Sequence, residues 1–451
     1  MKFGKRLTIM ERTFKDRGEV SYLVFPKKNR FSSPVIPSRE VPFILQEFKL
    51  VRAQTQKLCE HLQVEDFIIS TSNTTSVKWL LGHTSWFFER HILSIYLEEY
   101  REFNAHFETL FSLAASQKIF SRPSVEDLLA YRTYVDAAIE DLLFHRLGHQ
   151  DLYEVQRVIE IGLHYETEIQ EKLLSYTKHH FYINPLLPSY EKSEPSFQIE
   201  PAPLGPINWV SFSPGLFNIG ADDESFAFVN EKPRHIVYLH PFSLANRLVT
   251  NKEFLEFIDD GGYNKKELWS EEGWEFLQKN KKLAPAYFIN EGGEWLNFTF
   301  RGLHPLIENE PVSHVNYFEA AAYAKWIGAR LATEMEWEVA AQDQKLGNFF
   351  KSHILQPIAL KNADLSSAKS SVLQLFGDVW EWTCSPYSHY PGFKEEKEEI
   401  LSAKNQFNPA HKVLRGGSCL TQESYFRPTF RASLDPSSSI YCTGIRLAKD
   451  L

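Results

Sequence analysis

His164 and Glu168 stand four residues apart, and so do His145 and His149. Side chains four apart share one face of a helix, so either pair offers two donors to a single metal ion. Gly148 lies inside the second pair and signals a helix end, where a histidine more often caps carbonyls or complements the helix dipole. Arg122 and Arg431 are candidate anchors for a substrate carboxylate, because a guanidinium fork matches two carboxylate oxygens. Each serves equally well as the arginine of a structural salt bridge. Four cysteines, Cys59, Cys384, Cys419 and Cys442, are spread through 451 residues without a CxxC pair. That is not a disulfide framework, and a reducing, cytoplasmic setting is the simpler expectation.

The elements that must position these groups divide the chain. From about Val41 to Tyr182 glycines are few and apolar residues recur at helical spacing, which predicts helices over Phe43–Leu62, Ser76–Tyr100, Val125–His145 and Leu152–Thr177. Ser76 and Ser124 are their N-caps. The pattern is that of a four-helix bundle with one long second connection. In the last helix Val155, Val158, Gly162, Tyr165, Ile169 and Leu173 form one stripe that should face the core. His164 and Glu168 lie about 100° further round, with Arg157, Glu160, Glu171 and Lys172, and are expected to face water.

A proline-rich stretch over 183–206 reads as an extended linker. Residues 207–451 alternate short strand-like runs with turns, plus a clear helix at Tyr317–Ile327. Residues 1–40 form a basic extension without the apolar core of a secretory signal, and Glu395–Glu399 is a charge run of the solvated-loop type. The chain is too long for one core, so two domains are expected. An aromatic content of 14% points to large rings filling irregular space. The net charge of −9 makes nucleic acid an unexpected partner, and no apolar run reaches the length of a membrane span.

Runs of Gly, Trp and Arg then narrow the fold. Gly377-Asp-Val-Trp-Glu-Trp-Thr-Cys-Ser-Pro-Tyr-Ser-His-Tyr-Pro-Gly-Phe393 is followed by Leu414-Arg-Gly-Gly-Ser418 and Thr443-Gly-Ile-Arg-Leu447. Upstream stand Pro311–Ala320 and Gly328-Ala-Arg-Leu-Ala-Thr-Glu-Met-Glu-Trp-Glu338. Together they resemble the formylglycine-generating-enzyme-like (sulfatase-modifying-factor) domain, a C-type-lectin-related fold. In the helical half, Trp79-Leu-Leu-Gly-His-Thr-Ser-Trp-Phe-Phe-Glu89, Phe120-Ser-Arg-Pro-Ser124 and Tyr131-Arg132 resemble motifs of a DinB-like bundle. The combination is similar to the ergothioneine-type sulfoxide synthases. It implies an α+β chain with the DinB-like bundle over 41–182 and the lectin-like domain over 207–451.

That resemblance further implies a mononuclear non-haem Fe(II) site with three histidine ligands. A small thiol and oxygen would meet there, with C–S bond formation to a histidine-derived imidazole. His83 matches the first ligand. Tyr387 matches the proton donor near the iron-bound oxygen and Tyr390 the tyrosine near the imidazole, roles a neutral phenol can fill; alternatively both rings only pack an aromatic loop. The sequence departs from the family in two places. The other two ligand positions fall, without a gap, on Tyr165 and Ile169. A one-residue shift instead offers His164 and Glu168, which with His83 make a two-histidine, one-carboxylate triad.

Helix periodicity favours the ungapped register, with Tyr165 and Ile169 beside His83. Near the C-terminus, the family's Asn-Phe-Phe becomes Ala432, Ser433 and Leu434, so a trimethylammonium ligand loses its aromatic walls. The cysteine pair of the formylglycine-generating enzymes is missing too, since Cys442 stands alone with Cys419 distant in sequence. Two functions follow: a divergent iron enzyme acting on a small thiol or amino-acid-like ligand, or a non-catalytic scaffold or small-ligand-binding protein that has lost the iron.

Overall fold

In a computed structural model, the structure describes residues 41–115, 120–145, 147, 149–192, 204–342, 347–361, 371–394 and 407–451. The basic extension 1–40, most of the linker and the charge run at 395–399 lie outside the described residues. Four long helices build the N-terminal half: α1 (Val41–Lys57), α2 (Val77–Phe88), α5 (Val125–His145) and α6 (His149–Ile183). Two short helices, α3 (Ser94–Tyr96) and α4 (Phe107–Phe111), occupy the long connection between α2 and α5. Ser76 accepts from the Trp79 amide at the start of α2, and Ser124 caps α5 reciprocally with Asp127. Among the described residues no helix is long and apolar enough to cross a membrane.

The second helix does not run unbroken to Tyr100. At Glu89–Leu93 it widens into a π-turn, and there the buried Glu89 carboxylate accepts from the hydroxyls of Tyr100 and Tyr131, each at 2.6 Å. A carboxylate needing several donors in the interior explains why the regular ladder gives way at this point. A second buried carboxylate, Glu166 of α6, sits at the bundle centre. It accepts from Arg52 Nη1 at 3.1 Å and Thr55 Oγ1 at 2.6 Å, and pairs with Arg132. Arg52 also reaches Asp136 and Ser85, and Arg132 reaches Thr84. All four long helices are thereby joined through one charge network, and the two guanidinium groups hold the Glu166 carboxyl down to about 2.

The C-terminal half is mixed. A four-stranded sheet has β1 (Trp209–Phe212), β4 (Phe242–Ala245), β13 (Leu447–Asp450) and β8 (Arg330–Leu331) in that order. A second orders β11 (Ala432–Leu434), β10 (Lys412–Arg415), β9 (Trp380–Pro386) and β12 (Thr443–Gly444). The hairpin β2 (Gly215–Ile219) and β3 (His235–Leu239) and the meander β5 (Phe288–Glu291), β6 (Glu294–Thr299) and β7 (Gly302–Pro305) complete the strands. Helices α7 (Asn251–Asp259), α8 (Glu271–Asn280), α9 (Tyr317–Trp326) and α10 (Glu334–Ala341) pack around them. The result is an α+β chain, helices first and a strand-rich domain second.

Short strands cannot fix long loops by ladders alone, and here buried ion pairs do so. Helix α10 begins with a capping box between Thr333 and Glu336. Its three glutamates each hold an arginine: Glu334 takes Arg431, Glu336 takes Arg330 and Glu338 takes Arg415. Arg446 clasps Glu381 in the same way, with Nε and Nη2 both donating. The Gly-, Trp- and Arg-rich runs of the sequence are thus the loops of this domain and their electrostatic ties.

Candidate functional site

His83 is the residue on which the expected chemistry turns, and α2 buries it at 1% exposure. Its Nδ1 lies 2.6 Å from the Phe111 carbonyl, which can only accept, so Nδ1 carries the proton. Nε2 is therefore an acceptor, and the Tyr165 hydroxyl donates to it at 2.7 Å. Burial drives the imidazole pKa down to about 4, so the ring is neutral. Trp79 and Trp86 flank it in stacked contact at 4.3 and 5.2 Å. Gly162 lets α6 come this close to α2, since a Cβ there would stand 2.5 Å from the Phe88 ring.

The predicted stripe of α6 faces inward: Val155, Val158, Tyr165, Ile169 and Leu173 are buried. Tyr165 is thus brought to His83, and Ile169, 1% exposed, offers no donor. His164 and Glu168 go elsewhere. The His164 ring stacks on Phe226 at 3.9 Å and 10°, and Glu168 pairs with Lys172 at 3.0 Å. Among the described residues no group of three or more His, Cys, Asp or Glu side chains is placed to hold a metal ion. His145 and His149 lie in the helices α5 and α6 at a break between them.

One expectation about this helix fails. The face carrying His164, Glu168 and Glu171 is not a water face, because the C-terminal domain covers it. Glu171 is buried and accepts from Ser418 Oγ at 2.6 Å, Thr421 Oγ1 at 2.7 Å and Trp380 Nε1 at 2.7 Å. Two of the Gly-, Trp- and Arg-rich runs of the second domain, around Trp380 and Ser418, thus end on one glutamate of the first. Helix periodicity separates a core face from the rest, but it does not say whether the rest meets water or another domain.

The remaining candidates sit in the second domain's own network. Tyr387 accepts from Asn230 Nδ2 at 2.9 Å and stacks on Phe407, and burial pushes its phenol up to about 12. Tyr390 donates to Glu334 at 3.3 Å. Arg431 spends its guanidinium inside the protein, with Nε and Nη2 on Glu334, Nη1 on the Asn230 carbonyl and Nη2 on that of Ser388. It also lies over the rings of Tyr387 and Tyr390, at 5.3 and 4.0 Å. Of its two readings the structure displays the ion pair. Arg122 is exposed, next to Ser121, whose carbonyl accepts from the buried Lys78 ammonium at 2.9 Å.

The residues present do not fit a three-ligand iron centre. Both ring nitrogens of His83 are occupied, a hydroxyl stands where a second ligand is needed, and a hydrocarbon stands at the third position. The walls expected for a trimethylammonium group are likewise aliphatic or small, with Ala432, Ser433 and Leu434 forming β11.

Two groupings escaped the sequence. Cys442 is not alone: its Sγ lies 3.8 Å from Cys419 Sγ, both buried. Lys178 of α6 enters the second domain, donates to His314 Nε2 at 2.8 Å, and is buried between Tyr287 and Phe300. Desolvation lowers its ammonium to about 8. No local spacing announces either group, since the partners are 23 and 136 residues apart.

Comparison with known proteins bears on the C-terminal domain. The chain is 36% identical over 253 residues to hercynine oxygenase of Mycobacterium tuberculosis, which covers 52% of this chain and 59% of that protein. It is also 36% identical over 259 residues to hercynine oxygenase of Mycolicibacterium smegmatis, covering 52% and 60%. To the formylglycine-generating enzyme of Mus musculus it is 26% identical over 302 residues, covering 58% and 80%. The chain therefore spans about three-fifths of the hercynine oxygenases it matches. Residues 198–370 and 351–451 match the sulfatase-modifying factor enzyme 1-like domain, and by that match over more than half its length the chain belongs to this family.

Proposed function

We propose that this protein is a divergent relative of the hercynine oxygenases that has exchanged the iron-binding constellation for a closed hydrogen-bonded core, and that it works by binding rather than by C–S bond formation. The observation that carries the reading is the Tyr165 hydroxyl 2.7 Å from His83 Nε2. That nitrogen carries the one lone pair His83 has left for a metal once Nδ1–H is committed to the Phe111 carbonyl. A metal ion at Nε2 would have to displace a buried phenol, whose hydroxyl would then lack a partner. It would also find isoleucine at the third position.

The face that remains is the contact between α6 and the C-terminal domain, where Glu168 pairs with Lys172 and interacts electrostatically with Tyr387 and Tyr441. Lys172 keeps 31% of its side chain in solvent and Glu168 keeps 22%. Glu168 and Lys172 pair with each other at 3.0 Å, and a small amino-acid-like ligand carrying both signs would bind by exchanging that pair for its own charges.

Metal analysis of protein purified anaerobically with excess Fe(II) tests the reading. Iron well below one per chain is expected, with the same content in His83→Ala. Stoichiometric iron that disappears in His83→Ala would overturn it and restore the enzyme.

A further inference from the structure

We propose that Cys419 and Cys442 are a redox modification site, a buried dithiol that a hydroperoxide converts reversibly into a disulfide. The inference is independent of the ligand-binding reading and rests on how the two thiols are held. Their sulfurs are 3.8 Å apart, near van der Waals contact, against about 2.05 Å in a disulfide. Nothing therefore separates them, and closure needs each sulfur to move by roughly 1 Å.

The approach is built in by backbone. Gly377 and Asp378 both adopt positive φ, at 71° and 54°. This turn aims the Asp378 carbonyl at the pair, where it accepts from the Cys419 amide at 3.0 Å and from the Cys442 thiol at 3.6 Å. Cys442 is fixed from its other side, because its carbonyl accepts from the Trp380 amide at 2.8 Å. One acceptor shared by the Cys419 amide and the Cys442 thiol keeps the two cysteines side by side.

A cation completes the arrangement. Lys178 interacts electrostatically with both sulfurs, and an ammonium beside a thiol favours the thiolate, which is the reacting form. Its own hydrogen bond to His314 holds it in place. The step balances without a metal. One thiolate sulfur attacks the terminal oxygen of the hydroperoxide, the O–O bond breaks, and sulfur becomes a sulfenic acid, while the other oxygen takes up the proton that the thiol released on ionising and leaves as water or alcohol. The second thiol attacks the sulfenic sulfur, the S–O bond breaks, the S–S bond forms, and the departing oxygen leaves as water with that thiol's proton. Two thiols together lose two electrons, and one peroxide bond gains them.

Burial pushes the Cys419 thiol well above its usual range, so the reaction is slow compared with an exposed thiolate and slower still as pH falls. Its mechanical consequence is local. Closure draws on the segment carrying Ser418 and Thr421, which hold Glu171 of the helical half.

The experiment uses the full chain, treated with hydrogen peroxide, quenched, denatured and alkylated with N-ethylmaleimide before peptide mass analysis. All four cysteines are expected to take label in the untreated chain. After peroxide only Cys59 and Cys384 are expected to do so, with a cross-linked Cys419–Cys442 peptide that dithiothreitol reopens. In Cys442→Ser the cross-link is expected to vanish and Cys419 to recover its label after reduction. Label on both Cys419 and Cys442 after prolonged peroxide, or protection confined to Cys59 and Cys384, would overturn the proposal. The wild-type peptide map decides this even where the serine variant fails to fold.

Discussion

Replacing Glu171 by alanine removes the acceptor on which three donors of the C-terminal domain converge. Ser418, Thr421 and Trp380 each reach it within 2.7 Å. A hydrogen bond to a charged group contributes about 1.5–3 kcal/mol, so the gross loss for the three is roughly 4.5–9 kcal/mol. Two effects reduce it. The Ser418 and Thr421 hydroxyls are 3.5 Å apart and can turn toward each other. Burial also disfavours the ionised carboxylate, whose pKa it raises. The Trp380 indole N–H loses its Glu171 acceptor, and an abandoned buried donor costs about 1–3 kcal/mol. A net destabilisation of about 3–4 kcal/mol is expected for Glu171→Ala and about half of that for Glu171→Gln.

Urea unfolding at pH 7, followed by fluorescence and far-UV circular dichroism, measures both. The pH dependence has a defined sign. The folded carboxyl titrates above its unfolded value, so the parent gains stability relative to Glu171→Gln as pH is lowered through that range. A Glu171→Ala midpoint within about 0.5 kcal/mol of the parent would refute the argument.

Two further outcomes follow from the bundle. The Glu166 carboxyl is held at about 2 against a usual 4.5, so it contributes about 3 kcal/mol that is present above pH 4.5 and lost as pH falls toward 2. Urea midpoints between pH 6 and pH 3 should fall less steeply in Glu166→Gln than in the parent, and equal slopes would contradict this. The double variant Tyr165→His/Ile169→His places imidazoles at the two positions facing His83 on α6. It is expected to bind Fe(II) under anaerobic conditions where the parent does not, as read by metal content and by loss of binding when His83→Ala is added.

Much of this was legible in the residues. The stripe through Tyr165 and Ile169 gave the correct inward face of α6, because 3.6-residue periodicity reports burial directly. The runs of Gly, Trp and Arg identified the loop-rich second domain, because positive φ at Gly377 and Gly416 and buried arginines leave residue-type signatures. The π-turn at Glu89 was not legible, since a carboxylate collecting hydroxyls from Tyr100 and Tyr131 is a long-range event. The same applies to Glu171, which looks like a surface residue until the second domain is laid over it. Charge alone is a poor guide wherever one domain is the solvent of another.

The placement of β13 bears on how the chain is made. This strand lies between β4 and β8, pairing Ala448 with Leu244 on one side and with Arg330 on the other. The sheet therefore has its gap filled by residues synthesised some 200 positions after β4. At roughly 5–20 residues per second, β4 waits about 10–40 seconds on the ribosome with an open edge bearing Phe242 and Leu244. An unpaired apolar edge is a template for pairing with another chain. Nascent chains of this protein are then open to mispairing for as long as β4 is made and β13 is not, and a chaperone that shields strand edges would act on that edge until β13 closes it.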